Sequence, residues 1–161
     1  MPSDKALVHV IDDDEAMRDS LAFLLRSVGL DVQTHESAAA FLDLAPKVEA
    51  GCVITDVRMP GVSGIDLLRR LRELKFGVPV IVITGHGDVP LAVEAMKIGA
   101  ADFIEKPFDD EALLQAVRSP GNSISLALTR RSPPACVTDP STMEPTRNSL
   151  AMSESFLFEL R

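Results

Sequence analysis

Five polar residues of this chain stand at one kind of place. Asp12 and Asp13 follow an apolar run, and Asp56 closes the run Cys52, Val53, Ile54, Thr55. Thr84 follows the β-branched residues 80–83, and Lys106 comes soon after residues 101–104. Three carboxylates gathered in one pocket repel one another, so they require a cation or a proton among them. With oxygen donors alone the suitable ion is Mg²⁺, which takes few protein ligands and keeps several waters. A carboxylate at a strand mouth, such as Asp56, can serve as metal ligand or as nucleophile. As nucleophile it would attack a phosphoryl group and form an aspartyl phosphate. The metal would offset charge on the phosphoryl oxygens, Lys106 would add a second positive charge, and Thr84 would donate its hydroxyl. Singly, each residue has an ordinary explanation: an acidic helix start, a surface lysine, a strand-end threonine. Their repetition at matching strand ends carries the chemistry.

The elements needed to position these residues are legible as five strand–helix repeats. Residues 6–11 read as a buried strand and lead into a helix capped by Asp14, with Leu21, Leu24, Leu25 and Val28 at helical spacing and Gly29 as its stop. Residues 30–34 are a weaker strand, followed by a helix capped by Ser37 and closed by Pro46. The run ending at Asp56 is the third strand. Ser63 caps the next helix, with Leu67, Leu68, Leu71 and Leu74 on its inner face and Gly77 beyond its end. Residues 80–83 form the fourth strand, and 84–87 a loop. Asp88 is expected to cap a helix with Pro90 near its start and Val93, Met96 and Ile98 as apolar candidates. Residues 101–104 are a fifth strand, and Asp109 or Asp110 starts a last helix through Leu113, Leu114 and Val117. Alternating strands and helices predict an α/β parallel sheet covered on both faces. In such sheets, ligands bind beyond the carboxyl ends of the strands, at the switch point of strand order. With the order 2-1-3-4-5 assumed, that point lies between strands one and three, where the three aspartates would converge.

Composition narrows the function classes. The chain has 161 residues, of which 46% are hydrophobic, with neither Trp nor Tyr, so its core must be aliphatic with Phe. A net charge of −8 argues against a chain that coats nucleic acid. Cys52 and Cys136 have no neighbours at metal-ligand spacing, which argues against a disulfide framework. No run reaches the ~18 apolar residues of a membrane span, and the N-terminus lacks the apolar core of a signal peptide. A soluble, cytoplasmic protein that makes no membrane contact is expected.

Four motifs in order resemble one family. They are Val10-Ile11-Asp12-Asp13, Asp56-Val57-Arg58-Met59-Pro60-Gly61, Ile83-Thr84-Gly85 and Glu105-Lys106-Pro107-Phe108. Together they are similar to the receiver domain of bacterial two-component response regulators, over roughly residues 5–118. The stretch 82–108 and residues 20–24 are most similar to its FixJ-like branch. The resemblance implies a flavodoxin-like (CheY-like) doubly wound sheet of five parallel strands, order 2-1-3-4-5. It implies Asp56 as phosphoacceptor from a histidine kinase, with Asp12, Asp13, Asp56 and the main-chain carbonyl of Arg58 at a Mg²⁺ site. Thr84 and Lys106 would bind the phosphoryl group. Thr84 and Phe103 would be the switch pair, the hydroxyl turning to the phosphoryl group as the ring moves inward. The Lys106–Pro107 bond is implied to be cis. Arg58 and His86, each two residues past a key position, would flank the pocket mouth and tune phosphoryl lifetime. A phosphorylation-dependent homodimer is implied through the face built from residues 88–99, residues 101–104 and the last helix. Such a receiver is a self-catalysed phosphoacceptor that loses its phosphoryl group with time, not a turnover enzyme, and works in phosphorelay control of transcription.

From Ser119 the sequence changes character. Ser, Thr and Pro recur without period, and the charges balance, so the whole negative excess falls within residues 1–118. Residues 119–161 read as a disordered tail, with a weak amphipathic segment at 150–160. FixJ-like regulators continue into a DNA-binding helix-turn-helix, and nothing after Arg118 resembles one. The expectation is a receiver without direct nucleic-acid binding: either a stand-alone one, or a regulator whose output domain was lost by truncation or frameshift. Two other classes fit the sequence less well. A Mg²⁺-dependent phosphohydrolase with an Asp nucleophile, as in haloacid-dehalogenase-like enzymes, needs Asp-x-Asp, and position 58 is Arg. A flavin-binding module needs a phosphate-cradling loop after the first strand, and an acidic cluster stands there.

Overall fold

Strands β3 (Cys52–Asp56) and β4 (Val80–Thr84) are buried along their whole length and form the centre of the sheet. They belong to a computed structural model that describes residues 7–85 and 87–119. The other elements are β1 (Leu7–Ile11), α1 (Glu15–Ser27), β2 (Asp31–His35), α2 (Ala38–Leu44), a short 3-10 turn (Ala45–Lys47), α3 (Gly64–Glu73), α4 (Val89–Ile98), β5 (Asp102–Glu105) and α5 (Asp110–Arg118). All pairings are parallel, in the order β2-β1-β3-β4-β5. The expected strand order and fold class are therefore present. Residues 120–161, with most of the expected tail, and His86 lie outside the described residues. Among the described residues, no helix is long and apolar enough to cross a membrane.

Alternate side chains of each strand enter opposite faces, as the two-residue period requires. Val8, Val10, Ile54, Ile81 and Ile83 pack with Leu21, Leu25, Leu113 and Val117 beneath α1 and α5. Ile11, Val53, Val80 and Val82 pack with Phe41, Leu67, Leu68 and Leu71 beneath α2 and α3. His9 enters this second face fully buried, where its Nδ1 lies 3.1 Å from Nε2 of His35 and both rings pack on Phe41.

Capping matches the sequence where it depends on neighbours in the chain. Asp14 accepts from the Ala16 and Met17 amides, Ser37 from Ala40 and Ser63 from Asp66. Three expectations need correction. Leu74, expected on the inner face of α3, is its C-cap and is exposed, and Lys75 after it takes a positive φ of 54°, which turns the chain before Gly77. Asp88 and Asp109 stand at N-cap positions, but neither side chain makes a capping bond. In α4, Val93 and Met96 face outward, and the buried residues are Ala92 and Ala95. The apolar residues of α4 surround the helix; Ala92 and Ala95 are buried, and Leu91 and Ile98 pack half-buried against the core beside them.

One glycine sets the approach of α3 to the site. A Cβ on Gly64 would lie 2.2 Å from the Asp56 carbonyl oxygen and 2.9 Å from the Val57 Cα, both rigid backbone. Gly64→Ala should therefore destabilise the fold by about 2 kcal/mol or more, the usual scale of overpacking. Gly77, which has open space around it, is the control. Urea midpoints of the two alanine variants check this, the Gly77 variant staying near wild type.

Candidate functional site

The carboxyl ends of β1, β3, β4 and β5 meet at one edge of the sheet, because all run the same way. Asp12 follows β1 directly, and Arg18 Nη1 holds its carbonyl at 2.7 Å while its amide donates to the His35 carbonyl at 3.2 Å. Asp56 is the last residue of β3. The loop after it is fixed from both sides, by Val57 N–H on the Ile83 carbonyl and Gly64 N–H on the Val57 carbonyl, both at 2.9 Å. Carboxylate oxygens of Asp12, Asp13 and Asp56 lie within 4.8 Å of one another. Asp12 and Asp56 are buried, and Asp13 is exposed.

The electrostatics of this cluster are unbalanced. Lys106 Nζ lies 3.1 Å from Asp56 Oδ1 and supplies one positive charge. Burial raises the Asp12 carboxyl above its ordinary range; the Asp14 amide opposes this, and the nearby Asp56 charge adds to it. One oxygen of Asp12 accepts from the Asp14 amide at 2.9 Å, while the other, Oδ2, is buried without a partner among the described residues. A buried acceptor left unpaired is costly, and a divalent cation held between the three carboxylates would remove that cost. All the side-chain donors are hard oxygens on short side chains, a set that fits Mg²⁺. When bound there, the ion would supply positive charge to a phosphoryl group at Asp56.

The remaining expected residues fall around this cluster. Thr84 is the buried last residue of β4, not part of a loop, and its hydroxyl donates to the Ile104 carbonyl at 3.5 Å, a long and weak contact. Phe103 is 43% exposed on β5 and does not fill the core. Lys106 is placed by its amide on the Thr84 carbonyl at 2.8 Å, ahead of a cis Lys106–Pro107 peptide. Arg58 turns to the N-cap of α4, where it pairs with Asp88. That pair lowers the Asp88 carboxyl and raises the Arg58 guanidinium from their ordinary ranges. Sequence reasoning missed Asp88 in this role, because its position before Pro90 signals a helix cap.

Known proteins resemble this chain in sequence and fold. The chain matches the response regulator receiver domain family over residues 8–118. It is 65% identical over 112 residues to the transcriptional regulatory protein FixJ of Azorhizobium caulinodans, covering 70% of this chain and 53% of that protein. It is 58% identical over 110 residues to FixJ of Rhizobium meliloti, covering 68% and 54%. The crystal structure of FixJ-N superposes with a TM-score of 0.68 at 57% identity, over 70% of this chain and 90% of that one. Vibrio cholerae CheY4, a chemotaxis protein, superposes with 0.65 at 26% identity, over 71% and 97%. The chain thus spans about half the length of the curated relatives it matches.

Proposed function

The chain belongs to the response regulator receiver domain family, and from that premise we propose that Asp56 accepts a phosphoryl group from a histidine kinase and that Mg²⁺ is required. The observation that carries this reading is the cluster itself: three converging carboxylates, one with an unpaired buried oxygen, and Lys106 on the central one. In the transfer, an Asp56 carboxylate oxygen forms a bond to phosphorus. The phosphorus–nitrogen bond to the kinase histidine breaks, and the imidazole leaves with the electron pair and takes up a proton. Lys106 offsets charge on the acceptor and on the arriving oxygens. The Thr84 hydroxyl gives up its long contact with Ile104 for a phosphoryl oxygen, which leaves space for the exposed ring of Phe103 to turn inward. Asp12, Asp13, Asp56 and the Arg58 main-chain carbonyl are the proposed metal ligands.

The receiver unit is proposed to span residues 1–118, and its output face to be α4, β5 and α5. Val89, Val93, Met96 and Phe103 are exposed apolar side chains on α4 and β5. They favour association with a second copy of the chain once the switch turns. The likeness to transcriptional regulatory proteins supports a role for the phosphoryl signal in the control of transcription, with Asp56 proposed as an acceptor of limited lifetime and not as a turnover catalyst. His86 is proposed, with Arg58, to tune that lifetime.

One sample tests both parts. The full chain with acetyl phosphate and Mg²⁺ is expected to take up acid-labile phosphate, and to sediment as a dimer only when labelled. Labelling that persists undiminished in EDTA would overturn the metal requirement, and identical monomer profiles would overturn the dimer.

A further inference from the structure

One ion pair ties the loop after β3, two residues beyond Asp56, to the start of α4. Arg58 Nε donates to Asp88 Oδ2 at 2.8 Å, and its Nη2 donates to the other carboxylate oxygen. A two-pronged guanidinium–carboxylate contact fixes orientation as well as distance. The partners are unlike, with the Arg58 side chain 71% exposed and that of Asp88 13%. Asp88 occupies the N-cap of α4, where aspartate ordinarily turns its carboxylate onto the helix's own amides. Here it makes no such bond, and the first turn contains Pro90, which has no N–H to donate. The carboxylate turns to Arg58 instead, with the Gly85 amide also beside it.

We propose that Asp88 is a positioning residue for phosphoryl transfer at Asp56: it holds Arg58 against α4 in the unphosphorylated protein and yields it to the phosphoryl group once that group is in place. The assignment rests on the acceptor reading above. While the pair is closed, the guanidinium charge is neutralised locally and does little to draw an anionic donor into the pocket. A phosphoryl group on Asp56 carries up to about two negative charges, against the single charge of Asp88, and Asp56 ends β3 two residues before Arg58. The guanidinium follows the larger charge. α4 then loses a tether at its first turn. Its hold on the core is light, two buried alanines with Leu91 and Ile98 half-buried beside them, and among the described residues its other ion pair is Glu94 with Arg69 of α3. The Arg58 exchange thereby couples the acceptor to the exposed apolar face of α4.

A double-variant cycle on the full chain tests the assignment, with initial rates of label uptake from acetyl phosphate in Mg²⁺. Asp88→Asn frees Arg58 to face the pocket before the donor arrives, so uptake is expected to rise about threefold or more. Asp88→Glu should restore the wild-type rate. In an Arg58→Gln background, Asp88→Asn should change nothing. If its effect persists there, Asp88 acts only through its own negative charge, and the proposal falls. An unchanged rate in Asp88→Asn beside a labelled wild type overturns the proposal alone. A wild type that takes up no label overturns the acceptor reading and the proposal together.

Discussion

Asp56→Asn is expected to take up no acid-labile phosphate, a loss of at least about 100-fold in rate against wild type under the same donor and Mg²⁺. The amide is nearly the shape of the carboxylate but has no anionic oxygen to attack phosphorus. Asp56 is also the partner of Lys106 and one of the three gathered carboxylates, so the substitution tests two roles with one side chain. Loss of fold would be a trivial cause of lost labelling, and the electrostatics predict the opposite. Removing one of three like charges relieves repelling neighbours, so without metal the variant should melt at or above the wild-type temperature. Added Mg²⁺ should then stabilise the wild type by mass action, about 1.4 kcal/mol at ten times its dissociation constant, and the variant much less. Wild-type labelling of Asp56→Asn would refute the acceptor assignment. Equal Mg²⁺ stabilisation of both proteins would refute the place of Asp56 in the metal site.

Much of this site could be read from the chain because its parts lie next to strong local signals. Asp12, Asp56, Thr84 and Lys106 each stand at or just beyond the end of a short apolar run, and parallel strands put all such ends at one edge of the sheet. Asp14, Ser37 and Ser63 cap as expected because a cap bonds amides two or three residues ahead. What stayed hidden depends on register and on competition between partners. His9 and His35 meet only because Ile11 pairs with His35 across β1 and β2, a relation between residues 26 positions apart that no local pattern encodes. Asp88 carries every mark of a cap, and its preference for Arg58, 30 residues earlier, is decided by a loop closing in space. In α4 the apolar residues surround the helix, and the outward set of Val89, Val93 and Met96 gives no periodic sign that it is left for another surface.

The buried histidine pair makes stability depend on pH. Burial, with the neighbouring His35, holds the His9 imidazole down to about 4, against an ordinary value of 6.5. Burial lowers His35 as well. Above pH 6.5 the imidazole is neutral in both the folded and the unfolded chain, and its contribution is fully present. As pH falls from 6.5 toward 4 the unfolded chain binds a proton that the folded chain refuses, so folding free energy is lost across that window. For His9 the loss between pH 7 and pH 5 is roughly 2 kcal/mol, approaching about 3 kcal/mol below pH 4. Asp12 works in the other direction: its carboxyl is raised in the fold, so protonation there favours the folded state as pH falls. Comparison with a variant that keeps Asp12 but lacks both imidazoles, His9→Ile with His35→Ile, isolates the histidine contribution. Urea unfolding at pH 7 and pH 5 is expected to show wild type losing about 2 kcal/mol more than the double variant. Parallel losses in the two proteins would mean that the pair takes up its proton in the folded state. The 3.1 Å contact between Nδ1 and Nε2 would then be no obstacle to charging it.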